Sequence, residues 1–389
     1  MNYSFPILQQ SILLSGLILA LSALPSILPA QYATVDRYAR QAPDSLSQNL
    51  PALAAYLSAP AQSETETARA IYTWVTGYLQ YDHQAERQDK RINQNLRDIL
   101  IRRKGLCMDY ALLYQAICRY AGLQCEKIDG YAAPRLMEGR QMPEKADHSW
   151  NAVRINGQWQ LLDATWNEVQ DEAHLLYGTS YFFTPPEVFV LTHLPEQPMW
   201  QLLPCPVSTE AFAGSHTLLY QQAAQQDSCW SPTDSIAATL RLPPADRRVA
   251  MARQSHHFHP TPYTQRQWSA ALFDRAVALD EQTESLPYPD SAGSIVQLRQ
   301  QALADCQQAL PLTEPQNWQR ELYAQLLMNQ AIARYQLPGG HPLSNDADAT
   351  VDLLQTAREQ LLLLPENGYF RKYAMRQCTQ LLEQLSDRD

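Results

Sequence analysis

The clearest pattern of apolar and polar positions is a pair of apolar-rich runs, residues 148–155 and 158–165, on either side of Asn156-Gly157. Asn-Gly between two such runs is the strongest short signal for a β-hairpin with a two-residue turn. Both runs carry apolar residues on both faces. The pattern therefore predicts two central strands that are covered on both sides.

The turn also fixes which residues of the two strands lie opposite each other. Trp150 pairs with Asp163 and His148 with Thr165, so His148 and Asp163 are diagonal neighbours on one face. Such a diagonal spans roughly 7–8 Å between backbones, within reach of an imidazole and a carboxylate, whereas a slip of one residue would separate them onto opposite faces. The spacing thus predicts a His–Asp pair.

A helical pattern begins directly after Lys104-Gly105-Leu106-Cys107. Residues 109–120 carry one apolar stripe at helical spacing, formed by Tyr110, Leu113, Tyr114 and Ile117. Cys107 therefore falls at or near a helix N-terminus, where free N–H groups and the helix dipole favour a thiolate. The backbone N–H of Cys107 is also a candidate oxyanion donor, since such groups point outward at a helix start.

Further elements of the first half follow from periodicity and capping. Ser63 with Glu66 forms a capping-box signature ahead of a helix whose stripe is Ala70, Ile71, Trp74, Val75, Tyr78 and Leu79. The pattern also predicts a helix within residues 34–57, a short basic helix over 93–103, a strand over 123–131, and a loop over 132–146 beside His148. That loop is a candidate for shaping a substrate groove.

The second half divides into two parts. Residues 206–262 lack clear periodicity and contain Pro243, Pro244, Pro260 and Pro262, which predicts a connector with a few short elements; residues 263–389 are helical. Segments ending in Ala309-Leu310-Pro311 and Leu363-Leu364-Pro365 suggest paired-helix repeats of the tetratricopeptide kind, with a plain helical bundle as the alternative. Either form offers a groove or surface for a peptide or protein partner.

The N-terminus suggests export. Residues 1–30 contain no charged side chain, and a dense apolar stretch over 11–24 precedes Leu28-Pro29-Ala30. This resembles a secretory signal cleaved after Ala30 or nearby, although no Lys or Arg precedes the apolar stretch. The alternative is an uncleaved membrane anchor. We therefore expect a secreted or periplasmic protein that contacts a membrane only if this segment is retained.

Composition narrows the classes of partner. The 389 residues are enough for two or three domains, and the net charge of −10 without a basic block excludes nucleic acid as an expected partner. The chain has seven cysteines. The six other than Cys107 could form three disulfides, but the sequence does not determine which cysteines pair. The absence of a Cys-x-x-Cys motif argues against a zinc or thioredoxin-like site, and we read residues 256–259, which hold three histidines, as a solvated loop.

Cys107, His148 and Asp163 together supply what a thiol nucleophile requires. The thiol needs a base to remove its proton and an acid group to orient that base. Taken singly, a cysteine is more often a small core residue and a histidine a structural one. Their joint occurrence, with a helix start and a hairpin to hold them, favours a catalytic triad that needs no metal or cofactor.

The strings that carry these residues resemble the transglutaminase-like superfamily, a papain-like cysteine fold. They are Gly105-Leu106-Cys107-Met108-Asp109-Tyr110-Ala111, His148-Ser149-Trp150-Asn151 and Leu162-Asp163-Ala164-Thr165-Trp166. Residues 181–187 and 192–203 resemble the kyphoscoliosis-peptidase-like branch. The resemblance covers roughly residues 37–205 and implies an α+β papain-like transglutaminase core, with Cys107 as nucleophile, His148 as base and Asp163 as orienting acid.

The resemblance implies acyl transfer through a thioester and leaves the substrate open. We expect a thiol-dependent enzyme that acts on amide bonds of peptides or proteins outside the cytoplasm. No acidic loop suited to calcium is visible in the sequence, which favours a peptidase or amidase over a cross-linker. The alternative is a non-catalytic interaction module, with the core as a docking domain and the helical tail as a scaffold.

Overall fold

The computed structural model describes residues 31–88, 95–133, 141–166, 181–214, 216–225, 228–287, 290–336 and 347–386. These residues form two compact units. The first takes the described residues up to 133 together with Asp147–His193, and the second takes residues 141–146 and everything described from Leu194 onward. The predicted signal or anchor at residues 1–30 lies outside the described residues. Among the helices that are described, none has the length and apolar character needed to span a bilayer.

The first unit mixes helices and strands. Its helices are α1 (Ala33–Arg40), α2 (Leu50–Ser58), α3 (Glu64–Tyr78), α4 (His83–Arg87), α5 (Leu96–Arg102), α6 (Cys107–Tyr120) and α7 (Pro186–Phe189). Its strands are β1 (Gln80–Tyr81), β2 (Lys104–Gly105), β3 (Cys125–Ala132), β4 (His148–Ile155), β5 (Gln158–Leu162), β6 (Phe182–Thr184) and β7 (His193–Pro195), the last of which starts at the final residue of this unit.

The larger sheet has the strand order β6-β5-β4-β3-β7. The short strands β1 and β2 form a separate parallel pair. The predicted hairpin joins β4 and β5 with Ile155 opposite Gln158, which confirms the register expected from the sequence. Asn156 and Gly157 have φ values of 49° and 83°, the left-handed conformations that a two-residue hairpin turn of this kind requires. β4 is the central strand and is buried on both faces except at Arg154, as the two-sided apolar pattern predicted.

Five helices of the first unit, α1, α2, α3, α5 and α6, share one apolar core with this sheet. α3 begins at the predicted cap, where Ser63 Oγ accepts a hydrogen bond from the Glu66 N–H at 3.2 Å. The buried stripes of α3 and α6 meet in this core, together with residues of α2, β3, β4 and β5. The helix predicted within residues 34–57 is confirmed as α2, and a second helix, α1, precedes it across a 3-10 turn over Asp44–Gln48 that follows Pro43.

The described residues of the second unit are mostly helical. Its helices are α8 (Thr209–Gly214), α9 (His216–Ala223), α10 (Pro232–Arg241), α11 (Pro244–Phe258), α12 (Pro262–Glu284), α13 (Ala292–Ala309), α14 (Asn317–Tyr335), α15 (Ala347–Leu362) and α16 (Tyr369–Ser386). Each of α12 to α15 packs against the helix that follows it. Sequential packing of this kind is common to helical bundles and to paired-helix repeats.

The segment 206–262 differs from its prediction as a connector, since α8 to α11 occupy most of it. Two of the prolines that we interpreted as breaks, Pro244 and Pro262, mark helix starts instead, and Pro232 marks a third. Pro232, Pro244 and Pro262 each stand at the first helical position, where the missing N–H would have had no partner within the helix. Two of these starts are capped by the residue before the proline, Ser231 and Thr261, whose side-chain oxygens accept N–H groups of the first turn.

Partly buried ion pairs and a disulfide stabilise the second unit. Arg275 of α12 bonds Asp246 of α11 at 2.8 Å and Asp305 of α13 at 2.6 Å. Cys205 and Cys229 form a disulfide, one pairing out of those that the sequence left open. The fold is therefore an α+β core followed by an all-α region, as the sequence predicts.

Candidate functional site

Cys107 is the first residue of α6, as the sequence predicts. The helix entry is fixed by Asp109 of the first turn, whose Oδ2 accepts the Leu106 N–H at 2.9 Å. Gly105 is required here: a Cβ added to it would lie 2.5 Å from Cβ of Asp109. Because glycine has no side chain, β2 can pack directly against the first turn of α6, which places Cys107 at the start of that helix.

The Cys107 side chain is partly exposed, whereas the other four free cysteines, Cys118, Cys125, Cys306 and Cys378, are buried. Burial raises the pKa of Cys306 to about 12 and that of Cys378 to about 11. Exposure and a helix N-terminus therefore distinguish Cys107 from the other free thiols of the chain. Cys118 is a core residue of α6.

His148 and Asp163 form the predicted pair. His148 is the first residue of β4, Asp163 follows β5 directly, and His148 Nε2 lies 2.7 Å from Asp163 Oδ2. Both side chains are buried, with 7% of His148 and none of Asp163 exposed. The Asp163 backbone is fixed as well, since its N–H donates to Tyr181 O at 2.8 Å and its carbonyl accepts the Tyr72 hydroxyl of α3 at 3.3 Å.

The Asp163 carboxylate is surrounded by donors. Oδ1 accepts the N–H groups of Thr165 at 2.7 Å and Trp166 at 3.4 Å. Oδ2 accepts from His148, and His193 Nε2 approaches the same oxygen at 3.2 Å. A fully buried carboxylate remains ionised only when its lone pairs are satisfied in this way.

The electrostatics of the pair favour a charged histidine. Burial alone would lower the pKa of His148, but the negative charge of Asp163 and hydrogen bonds to Asp163 and to Cys107 outweigh it and raise the pKa to about 10. Burial would likewise raise the pKa of Asp163, but the charge and hydrogen bond of His148, with the hydrogen bond of His193, hold it well below its usual range. His148 thus bridges Asp163 on one side and Cys107 on the other.

Asn151 ties the strand that carries His148 to the helix that carries Cys107. It is completely buried in β4, and its Nδ2 donates to Ala111 O of α6 at 3.0 Å and to Glu126 O of β3 at 3.3 Å. The sequence analysis named Asn151 only as the last residue of the string His148-Ser149-Trp150-Asn151 and did not predict this contact. The bond sets the distance between helix and sheet close to the site.

The structure adds His193, which the sequence reasoning did not place in the site. His193 appeared in the sequence only as part of the string 192–203. No local pattern indicated that β6 and β7, which are consecutive in the chain, would form opposite edges of the sheet. Ligand atoms of His148, Asp163 and His193 lie within 4.8 Å of one another, a set that could hold a metal ion. Both Nε2 atoms approach one carboxylate oxygen, however, so each carries a proton and is not free to bind a metal.

Tyr81 pairs through its backbone with Gly105, two residues before Cys107. Its hydroxyl donates to Glu86 Oε1 at 3.0 Å. Burial, the nearby Cys107 and the bond to Glu86 raise the pKa of Tyr81 well above its ordinary value, so the hydroxyl keeps its proton. Residues 134–140 of the predicted loop 132–146 lie outside the described residues.

Part of the chain is similar to known proteins. Residues 51–164 match the family model described as the transglutaminase-like superfamily. Kyphoscoliosis peptidase from Homo sapiens is 34% identical over 47% of this chain and 28% of its own length, and the Lim and transglutaminase domain protein ltd-1 from Caenorhabditis elegans is 29% identical over 40% and 24%. A solved candidate cysteine protease from Cytophaga hutchinsonii is 24% identical, with a TM-score of 0.25 over 31% of this chain and 37% of its own.

The chain carries a transglutaminase-like domain of the kyphoscoliosis-peptidase branch. The α+β unit is thus the papain-like transglutaminase core that the sequence predicts. The chain spans about a quarter of the length of the curated relatives that it matches, at 28% and 24% in the two cases above.

Proposed function

We propose that this chain is a thiol-dependent acyl-transfer enzyme that acts on amide bonds of peptides or proteins, with Cys107 as nucleophile, His148 as base and acid, and Asp163 as orienting acid. The observation that carries the proposal is the continuous bonded series from the partly exposed Cys107, through His148, to the buried Asp163. This is the arrangement that a thiol nucleophile needs.

The reaction follows from these groups. The Cys107 thiolate attacks the amide carbonyl carbon, a C–S bond forms, and the oxygen takes up the electron pair. The outward backbone N–H groups at the start of α6 stabilise this oxyanion. The His148 imidazolium then gives its proton to the leaving amine as the C–N bond breaks, which leaves a thioester on Cys107.

The second half of the reaction regenerates the enzyme. His148, now neutral, takes a proton from water as the water oxygen attacks the thioester, and the thiolate leaves as the carboxylic acid forms. Asp163 remains ionised throughout and holds the imidazole in place. If a primary amine replaces water, the same steps form a new amide, and the enzyme is a cross-linker; hydrolysis is the outcome that we favour.

The proposed site of action is outside the cytoplasm, in a secreted or periplasmic form. The apolar N-terminal segment supports this location, and so does the disulfide between Cys205 and Cys229, since such bonds persist in oxidising compartments. A protein partner for the helical region stays a prediction.

The first test is the pH dependence of Cys107 alkylation by iodoacetamide in the full chain, measured by peptide mass. We expect the rate to reach its plateau well below the free-thiol pKa of about 8.5. His148→Ala should move the rate toward that of a free thiol. His257→Ala, which changes an exposed histidine of the helical unit, is the matched control and should behave as the wild type.

Activity is then measured directly on casein in the presence of a fluorescent primary amine. Release of new peptide ends or of ammonia without incorporation of the amine supports a peptidase or amidase, and incorporation supports a cross-linker. Cys107→Ala should abolish either signal. A wild-type Cys107 that titrates as a free thiol, with no product from casein, would favour the non-catalytic interaction module instead.

A further inference from the structure

His193 is a completely buried histidine whose two ring nitrogens both have polar neighbours. Nε2 lies 3.2 Å from Asp163 Oδ2, and Nδ1 lies 2.8 Å from Thr192 Oγ1. Thr192 Oγ1 in turn lies 3.2 Å from the Tyr181 hydroxyl. A series of hydrogen-bonding side chains thus reaches Asp163 Oδ2, the same oxygen that His148 contacts.

The ring of His193 is held firmly by aromatic neighbours. It stacks on Phe189 with ring centres 4.2 Å apart, and Trp166 meets it edge-on at 4.6 Å. Trp150 and Tyr181 lie at 5.1 Å each. A ring packed in this way cannot rotate without displacing its neighbours, so the direction of its Nε2 is fixed.

The direction of the hydrogen bond follows from the acceptor. Asp163 is ionised and can only accept, so Nε2 of His193 must carry the proton that it directs at Oδ2. This holds for a neutral ring, whose Nδ1 then accepts from the Thr192 hydroxyl. It holds equally for a charged ring, whose Nδ1 donates to that hydroxyl.

We propose that His193 is a positioning residue of the candidate triad: by donating to Asp163 Oδ2 it fixes the carboxylate in the orientation that His148 requires. The expected effect of His193 on Cys107 rests on the proposed function, whereas its expected effect on the pKa of His148 does not. Without this donor, a buried carboxylate oxygen would lose one of its partners and the carboxyl group would be freer to turn.

Other ionisable groups also face this carboxylate and must be kept constant in any test. They are His148 of β4, Cys107 of α6 beyond it, Tyr72 of α3 and Tyr81 of β1. Burial and the nearby Asp163 raise the pKa of Tyr72 well above its ordinary value, so it stays neutral through the pH range of the test. The titration of His148 therefore reports on the Asp163 carboxylate.

The test compares His193→Gln with His193→Asn. The Gln amide nitrogen is the same number of bonds from Cα as Nε2 of histidine, so it can donate to Asp163. The shorter Asn amide matches Nδ1 and reaches Thr192 only. Both variants lose the aromatic ring, so they share the cost in packing and differ in the donor. His193→Phe, which keeps the ring and removes the donor, completes the set.

Three readouts are taken on the full chain: the pKa of His148 from its ring resonances by NMR, the pH profile of Cys107 alkylation, and the melting temperature. We expect His193→Asn and His193→Phe to lower the pKa of His148 and to slow alkylation at neutral pH by on the order of tenfold, the scale of one hydrogen bond to a charged group. His193→Gln should stay within about threefold of the wild type.

Equal behaviour of His193→Gln and His193→Asn, with losses that follow the melting temperature alone, would overturn the proposal and leave His193 as a packing residue. If His193→Phe does not fold, the Gln and Asn pair decides. If wild-type Cys107 alkylates as a free thiol, the proposed function fails. The His148 pKa then still decides the role of His193, because that measurement needs no reactive cysteine.

Discussion

Replacement of Asp163 by Asn removes one negative charge from the buried pair while keeping the shape of the side chain. The pKa of His148 is raised to about 10, and its distance from the ordinary value of about 6.5 corresponds to about 5 kcal/mol of stabilisation of the imidazolium. Since Cys107 contributes to that value, the share of Asp163 is smaller. Breaking a buried charge pair costs at least about 3 kcal/mol, which is roughly a hundredfold in rate.

We therefore expect Asp163→Asn to slow alkylation of Cys107 at neutral pH by roughly a hundredfold and to move its pH profile toward that of a free thiol. The assay is iodoacetamide modification followed by peptide mass, with thermal denaturation to show that the variant is folded. Asp36→Asn is the matched control. It also removes a buried carboxylate of the first unit, one bonded to Arg69 at 2.8 Å, and lies outside the bonded group of Cys107, His148 and Asp163.

Asp36→Asn should lower the melting temperature without changing the alkylation profile. A folded Asp163→Asn protein whose Cys107 alkylates with the wild-type pH profile would refute this account of the site, since the charge of Asp163 would then have no effect on His148. Loss of reactivity in both variants to the same extent would mean that general destabilisation, and not the charge, is responsible.

Three further outcomes are expected. Gly105→Ala should lower the free energy of unfolding by about 1–3 kcal/mol in denaturant titration, because its Cβ overlaps Asp109, whereas Gly77→Ala, with no atom within 4 Å of the new Cβ, should not. Stability measured against pH should fall as pH rises from about 6.5 to about 10, since the raised pKa of His148 stabilises only its protonated form. Stability should also fall as pH drops below about 4, because the unfolded chain then binds a proton at Asp163 that the folded protein, with its lowered pKa, does not. Asp163→Asn should reduce both the alkaline and the acidic loss of stability. Native protein treated with iodoacetamide near neutral pH should be labelled at Cys107, whereas Cys306, whose pKa is raised to about 12, should react only after unfolding; labelling of Cys306 in the native state would contradict its burial.

The sequence by itself determined the parts of the site that depend on local interactions. Asn156-Gly157 fixed the register of β4 and β5 because a two-residue turn allows one pairing, and that pairing put His148 beside Asp163. The start of α6 at Cys107 likewise follows from a glycine entry and a cap that lie within three residues of it. Contacts over such short separations are encoded in the segment itself.

Only the tertiary structure decided the contacts that bring distant segments together. His193 reaches Asp163 from 30 residues away, Asn151 reaches Ala111 from 40, and Tyr72 reaches Asp163 from 91. None leaves a periodic signal, since each depends on how strands order in the sheet and how helices cover it. The same holds for the Cys205–Cys229 pairing, and for the helices of 206–262, because a proline can end one helix or begin the next and only packing selects between them.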